Sequence, residues 1–116
     1  MAKAFDLEKR STEFAKAVIV VCKNSPRNPL NDRIVGQVVG SSGSVGANYR
    51  EANDPLGKKD FLQRMRIARR EAKESHHWLE LLLTANSNNE LRIKPLIQEA
   101  DELKRILLSI INRIFF

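Results

Sequence analysis

Residues 35–53 read VGQVVGSSGSVGANYREAN and carry four of the chain's five glycines, at positions 36, 40, 43 and 46. Glycine and serine at this density fit three structures: a phosphate-cradling loop, a flexible linker, or a helix with small side chains. A P-loop closes on Gly-Lys-Ser/Thr between a strand and a helix, and no lysine lies between Lys23 and Lys58. A dinucleotide fingerprint needs Gly-x-Gly after a strand, and that spacing is missing. The glycines step by four, three and three, while Ile34, Val38, Ser41, Val45, Asn48 and Ala52 alternate between steps of four and three. Both are helical spacings. The reading is a buried, closely packed helix in which Gly36, Gly40, Gly43 and Gly46 let another backbone come near. Each helical glycine still costs about 1 kcal/mol relative to alanine. Asn48 falls on the inward stripe, as a buried polar group that fixes register or bonds a neighbouring backbone.

The flanking segments repeat the pattern. A first helix is expected from about Phe5 to Lys23, with Leu7, Phe14, Val18 and Val21 on one face. NSPRNPLN, residues 24–31, then breaks it, because two nearby prolines remove N–H donors and restrict their predecessors. The glycine-bearing helix should begin near Asn31 or Asp32, either of which suits an N-cap. NDPLG makes the next break, with Asp54 as cap and Pro55 in the first turn of a third helix running to about Ala85. Its stripe is Phe61, Met65, Ala68, Ala72, Ser75, Leu79 and Leu82. NSNNE, residues 86–90, is the next break, and Pro95 suits the first turn of a fourth helix, with Leu96, Ala100, Leu103, Leu107, Ile110 and Ile114 inward. No segment alternates polar and apolar residues as a strand does. The expectation is an all-α fold: one domain over residues 1–116, an antiparallel up-down-up-down four-helix bundle.

At 116 residues and 42% hydrophobic, the chain can fill one core. A single cysteine, Cys22, rules out an intramolecular disulfide and fits a reducing compartment. MAKAFDLEKR has no apolar signal region, and the C-terminal ILLSIINRIFF is too short and interrupted to span a bilayer. A cytoplasmic protein without membrane partners is expected. Twenty Lys and Arg against fourteen Asp and Glu give a formal charge of +6 and a pI near 9.8. Such an excess favours polyanionic partners, RNA or DNA among them.

The third helix concentrates that charge. Lys59, Gln63, Arg66, Arg70, Lys73 and His77 step by four and three, Arg69 lies beside them, and Lys58 is near the start. A row of arginines can contact successive phosphates. The competing reading is a solvated face balanced by Glu71, Glu74 and Glu80. The nucleic-acid-binding candidates are Arg66, Arg69, Arg70, Lys73 and His77. Tyr49 and Trp78 stand too far from other aromatics to read as a stacking platform.

Catalytic and metal chemistry find little support. A di-iron bundle needs two Glu-x-x-His motifs, and His76 and His77 are the only histidines, so Glu74 and His77 make the single copy. His76 reads as the edge of the core stripe and His77 as surface. Cys22 lacks a partner pattern for nucleophilic work and reads as packing. No catalytic residue, metal or cofactor is expected, and the chain does not read as an enzyme.

SSGSVGANYREA, followed by KKDFLQRMRIARREAKESHHWLELL, resembles the four-helix-bundle proteins encoded by intervening sequences in bacterial large-subunit ribosomal RNA genes. The accessory variability determinant of diversity-generating retroelements belongs to the same family. The family hallmark, approximately Ser-Ile-Pro-Ala-Asn-Ile-Ala-Glu-Gly, falls on Ser44 to Ala52, and its Lys-Glu-Phe element on Lys59, Asp60 and Phe61. Gly46 stands where the family usually has proline, and Ala52 where it usually has glycine. The resemblance implies homopentameric rings of bundles and, for the retroelement member, nucleic-acid binding and action with a reverse transcriptase; many other members have no assigned function. Arg50 and Glu51, in the hallmark, are expected to pair with the third helix or another subunit. The excess apolar surface of the last helix, at Ile111, Ile114, Phe115 and Phe116, is then expected to be a subunit interface. A scaffold whose basic face meets an acidic protein is the alternative function.

Overall fold

In a computed structural model the described residues, 6–54 and 56–115, form four α-helices and one short 3-10 turn, with no strand among them. The helices are α1 (Leu7–Lys23), α2 (Pro29–Ala52), α3 (Lys58–Ala85) and α4 (Glu90–Phe115). They make a four-helix bundle in which α2 packs on α3, α3 on α4, α1 on α2 and α1 on α4. The longest helix, α3 with 28 residues, spans about 42 Å at 1.5 Å per residue. It matches the 44 Å long axis of the molecule.

Helix boundaries depart from the expected ones where capping chemistry competes. α2 begins at Pro29 because Asn28 caps it: Asn28 Oδ1 accepts from Asn31 N at 2.8 Å. The proline's missing N–H costs nothing at that position. Asn31, expected as a cap, is instead buried, and it exchanges two hydrogen bonds with buried Asn86 at the end of α3, at 3.1 and 2.9 Å. Asn31 also donates to Pro26 O and Asn86 to Leu82 O. This amide pair therefore ties the α1–α2 connection, the start of α2 and the end of α3 together, with its donors satisfied in the interior. α3 starts at Lys58, after Gly57 in a positive-φ conformation (φ 143°) that favours glycine. Asp54 does not cap it, and Phe5 and Pro55 lie outside the described residues. α4 begins at Glu90, so Pro95 sits inside the helix rather than opening it. Only its second turn is affected, and the missing N–H removes one intrahelical bond.

The core holds the expected stripe of α1 and most of those of α2 and α3. Leu7, Phe14, Val18, Val21, Ile34, Val38, Val45, Ala52, Met65, Ala68, Ala72, Leu79 and Leu82 are all buried, and Phe61 is half-buried. In α4 the stripe turns at its C-terminal end. Ile93, Leu96, Ala100, Leu103, Leu107 and Ile111 are buried, Ile110 is half-buried, and Ile114 is exposed. Ile110 and Ile111 both lie one turn from Leu107, and the packing selects Ile111. Its proposed place in a subunit interface is therefore wrong: Ile111 belongs to the core. Nothing is described of the Phe115 side chain, and Phe116 lies outside the described residues.

The glycines also need correction. Gly36, Gly40 and Gly43 lie on the exposed side of α2, and a Cβ at any of them would meet no atom within 4 Å. Only Gly46 is buried for close packing: its Cβ would come within 3.0 Å of Ser11 Oγ of α1. α2 and α3 meet instead at Ser41 of α2 and Ser75 of α3, on a helix whose Ala68 and Ala72 are also buried. Ser75 Oγ donates to Ser41 Oγ at 3.1 Å across the seam, and also reaches Glu71 O. Asn48 is half-buried rather than buried. Its Nδ2 donates to Ser44 O, and its Oδ1 accepts from Arg64 of α3 at 3.3 Å. Arg50 pairs with Glu8 of α1 at 3.0 Å, not with α3. Arg10 of α1 grips Glu99 of α4 with two hydrogen bonds and Glu102 with a third, a bidentate arrangement that holds its guanidinium strongly protonated.

These packing assignments give opposite outcomes for two substitutions. Gly40→Ala should stabilise the subunit by about 0.5–1 kcal/mol, since it raises helix propensity and meets nothing. Ala72→Leu should cost roughly 1–3 kcal/mol by overfilling the seam. Urea unfolding followed by circular dichroism measures both. Destabilisation by Gly40→Ala would contradict the open placement of that face.

Candidate nucleic-acid interface

α3 buries Met65, Ala68, Ala72, Ser75, Leu79 and Leu82. The 3.6-residue period then sends Arg66, Arg69, Arg70, Lys73 and His77 away from the core. Arg66, Arg70, Lys73 and His77 are exposed, and Arg69 is half-buried at the flank. Arg69, Arg70, Lys73 and His77 line one open cavity of about 590 Å³, together with Glu74 and Trp78. Arg66 lies one turn before this group and does not line the cavity. Four of the five sequence candidates are thus brought together, with two residues that sequence reasoning left out. Trp78 is not isolated. It packs against the core on one side, and its ring meets that of His77 edge-on, with centroids 5.1 Å apart. The signal was present in the chain: Trp78 follows His77 directly and stands one turn after Glu74.

The electrostatics of this face differ from those of the paired arginines, and Arg33, Arg92 and Arg113 are the other arginines without an ion pair among the described residues. Arg10, Arg27, Arg50, Arg64 and Arg105 each pair with a carboxylate. Arg66, Arg69, Arg70 and Lys73 make no ion pair and no side-chain hydrogen bond among the described residues. Arg69 Nε is fully covered and lacks an acceptor among the described residues, which carries a desolvation cost. The acidic residues expected to balance these cations do not bond to them. Glu80 faces His76 at 3.6 Å. The Glu71 carboxyl is held above its ordinary range, first by burial and then by repulsion from Glu74, against a weaker pull from Arg70.

The other candidates for chemistry fare differently. Cys22 is buried, and desolvation pushes its thiol up to about 11, so it is a neutral thiol near pH 7. Among the described residues no group of three or more His, Cys, Asp or Glu is placed to hold a metal. No described helix is long and apolar enough to cross a membrane.

A family model described as 23S rRNA-intervening sequence protein matches residues 3–109. The chain belongs to that family. The four helices of this 23S rRNA-intervening sequence family member also match a solved structure from Bacteroides thetaiotaomicron VPI-5482, described as a protein with unknown function from the S23 ribosomal protein family. The two chains are 28% identical, with a TM-score of 0.79 over 90% of this chain and 97% of that one. No curated protein matches.

Glu71 yields a pH-dependent prediction. A carboxyl whose folded pKa is raised contributes stability fully below its unfolded pKa, near 4.3, and loses it as pH rises through the folded value. Replacing it with neutral glutamine should therefore raise the melting temperature at pH 7. The advantage of Glu71→Gln should shrink as pH falls towards 4. Thermal melts across pH 4–8 measure this, and a pH-independent difference would contradict the assignment.

Proposed function

We propose that this protein is a non-enzymatic, self-associating bundle that binds RNA or DNA through phosphate contacts, made by Arg66, Arg69, Arg70 and Lys73, with His77 at the edge of the site. The carrying observation is that these cations cluster on one helix, that Arg69, Arg70, Lys73 and His77 line one cavity, and that Arg66, Arg69, Arg70 and Lys73 pair with no carboxylate among the described residues. By contrast, Arg10, Arg27, Arg50, Arg64 and Arg105 are each neutralised by a carboxylate, and the unpaired Arg33, Arg92 and Arg113 line no shared cavity with one another. A guanidinium without an internal partner keeps its donors for phosphate oxygens. The net charge of +6 acts in the same direction. The family's link to ribosomal RNA genes, and the ribosomal family of the solved neighbour, support RNA as the first ligand to test. The resemblance to the retroelement accessory protein supports a reverse transcriptase as a protein partner.

We infer an antiparallel up-down-up-down order. Support comes from the pairing of the start of α2 with the end of α3 through Asn31 and Asn86, and of the end of α2 with the start of α3 through Asn48 and Arg64. Self-association into a ring, as the family resemblance implies, would repeat the basic face around the assembly. Exposed apolar groups suited to a subunit contact include Ile114 and Leu108 on α4. A groove between α1 and α2, lined by Ile19, Val35, Gly36 and Val39, offers another. Aligned copies convert a modest charge per subunit into a strong field.

The double variant Arg70→Glu/Lys73→Glu should lower affinity for a labelled 20-nucleotide RNA at least about ten-fold at 0.1 M salt, with a shallower log–log salt slope. Both residues are exposed, so circular dichroism should be unchanged. Fluorescence anisotropy across a salt series measures the effect. Unaltered binding would overturn the phosphate reading, and wild-type capture of an acidic protein without RNA binding would favour the scaffold alternative.

A further inference from the structure

We propose that the α3 cavity takes single-stranded rather than duplex nucleic acid, with a nucleobase stacked on Trp78 while Arg69, Arg70 and Lys73 hold the flanking phosphates. The proposal rests on the phosphate reading above and goes further, because it names the form of the ligand. Three features of the cavity carry it. Trp78 reaches the cavity from a half-buried position, braced by the core and by the edge contact with His77. A ring held in this way presents an ordered apolar surface beside three cations, and an unstacked base supplies the matching flat face.

Glu74 is the second feature. It is exposed and lines the same cavity. A carboxylate set among phosphate-binding arginines repels the closely spaced phosphates of a duplex. Facing a splayed base, it accepts hydrogen bonds from ring or exocyclic N–H groups on the Watson–Crick edge. In a duplex that edge is already paired. The third feature is shape. The cavity is about 590 Å³ and all its lining residues come from one helix. It accommodates a base and its neighbouring phosphates, while a rigid duplex lying along α3 keeps its bases stacked inside and leaves the indole without a partner.

Trp78 is the chain's only tryptophan, so its emission reports on this site alone. The test titrates the full-length protein with a mixed-sequence single-stranded 12-mer RNA, the same 12-mer as a duplex, and inorganic polyphosphate, which offers phosphates without bases. The expected result is quenching of Trp78 emission by the single strand only, with binding about ten-fold or more tighter than the duplex at equal phosphate concentration. Trp78→Leu should abolish that preference while polyphosphate binding persists, and Trp78→Phe should retain part of it. Circular dichroism checks that both variants are folded, and should Trp78→Leu unfold, the Trp78→Phe result and the wild-type quenching decide. Equal binding of single strand, duplex and polyphosphate without quenching would overturn this inference and leave the phosphate reading standing. Binding of none of the three would overturn both.

Discussion

Ser41 of α2 and Ser75 of α3 meet at 3.1 Å inside the bundle, in a seam whose other α3 members, Ala68 and Ala72, are fully buried. This contact between small side chains sets the rotation of α3. A helix that buries Met65, Ala68, Ala72, Ser75, Leu79 and Leu82 leaves its opposite face for charged side chains. Arg66, Arg70, Lys73 and His77 fall on that face because the seam fixes where it points. The basic cavity is thus a consequence of close helix packing. It does not need a dedicated loop, which explains why no glycine-rich phosphate motif accompanies it.

Polar contacts close the bundle at its ends and edges. The Asn31–Asn86 amide pair locks one end, and its reciprocal bonds specify which connection meets which helix terminus. Asn48 and Arg64 join the other ends of the same two helices. Arg10 with Glu99 and Glu102 ties α1 to α4, where the helix contact is slight compared with that between α2 and α3. Buried and bidentate polar pairs of this kind add specificity of arrangement more than net stability. Arg10, Arg50 and Arg64 serve this purpose, and Arg66, Arg69 and Arg70 of the α3 face do not.

Much of this was legible in the chain. The four-three spacing of Ile34, Val38, Ser41, Val45, Asn48 and Ala52 predicted the inward stripe of α2 at every member but Asn48, which is half-buried, and the family hallmark on residues 44–52 predicted the family. Side-chain partners were less legible, because periodicity gives a face and not a neighbour. The glycines share a helical spacing, yet Gly36, Gly40 and Gly43 face outward and only Gly46 meets another helix. Ile110 and Ile111 are equally compatible with the α4 stripe, and only the packed core distinguishes them. Proline signals misplaced the start of α4, since a proline in the second turn costs one bond and does not stop a helix whose apolar face is well buried. Trp78 was passed over for want of a second ring in sequence, although the adjacent His77 supplies one in space.

The most direct test of the central claim is to locate the bound strand on the surface. Photo-cross-linking of a thiouridine-containing RNA to the protein, followed by peptide mapping, reads the contact residue by residue. The account predicts cross-links concentrated in the segment from Arg66 to Trp78, with few at the other unpaired arginines, Arg33, Arg92 and Arg113. Cross-links centred on those residues or on the α1–α2 groove, with the α3 face unlabelled, would contradict it.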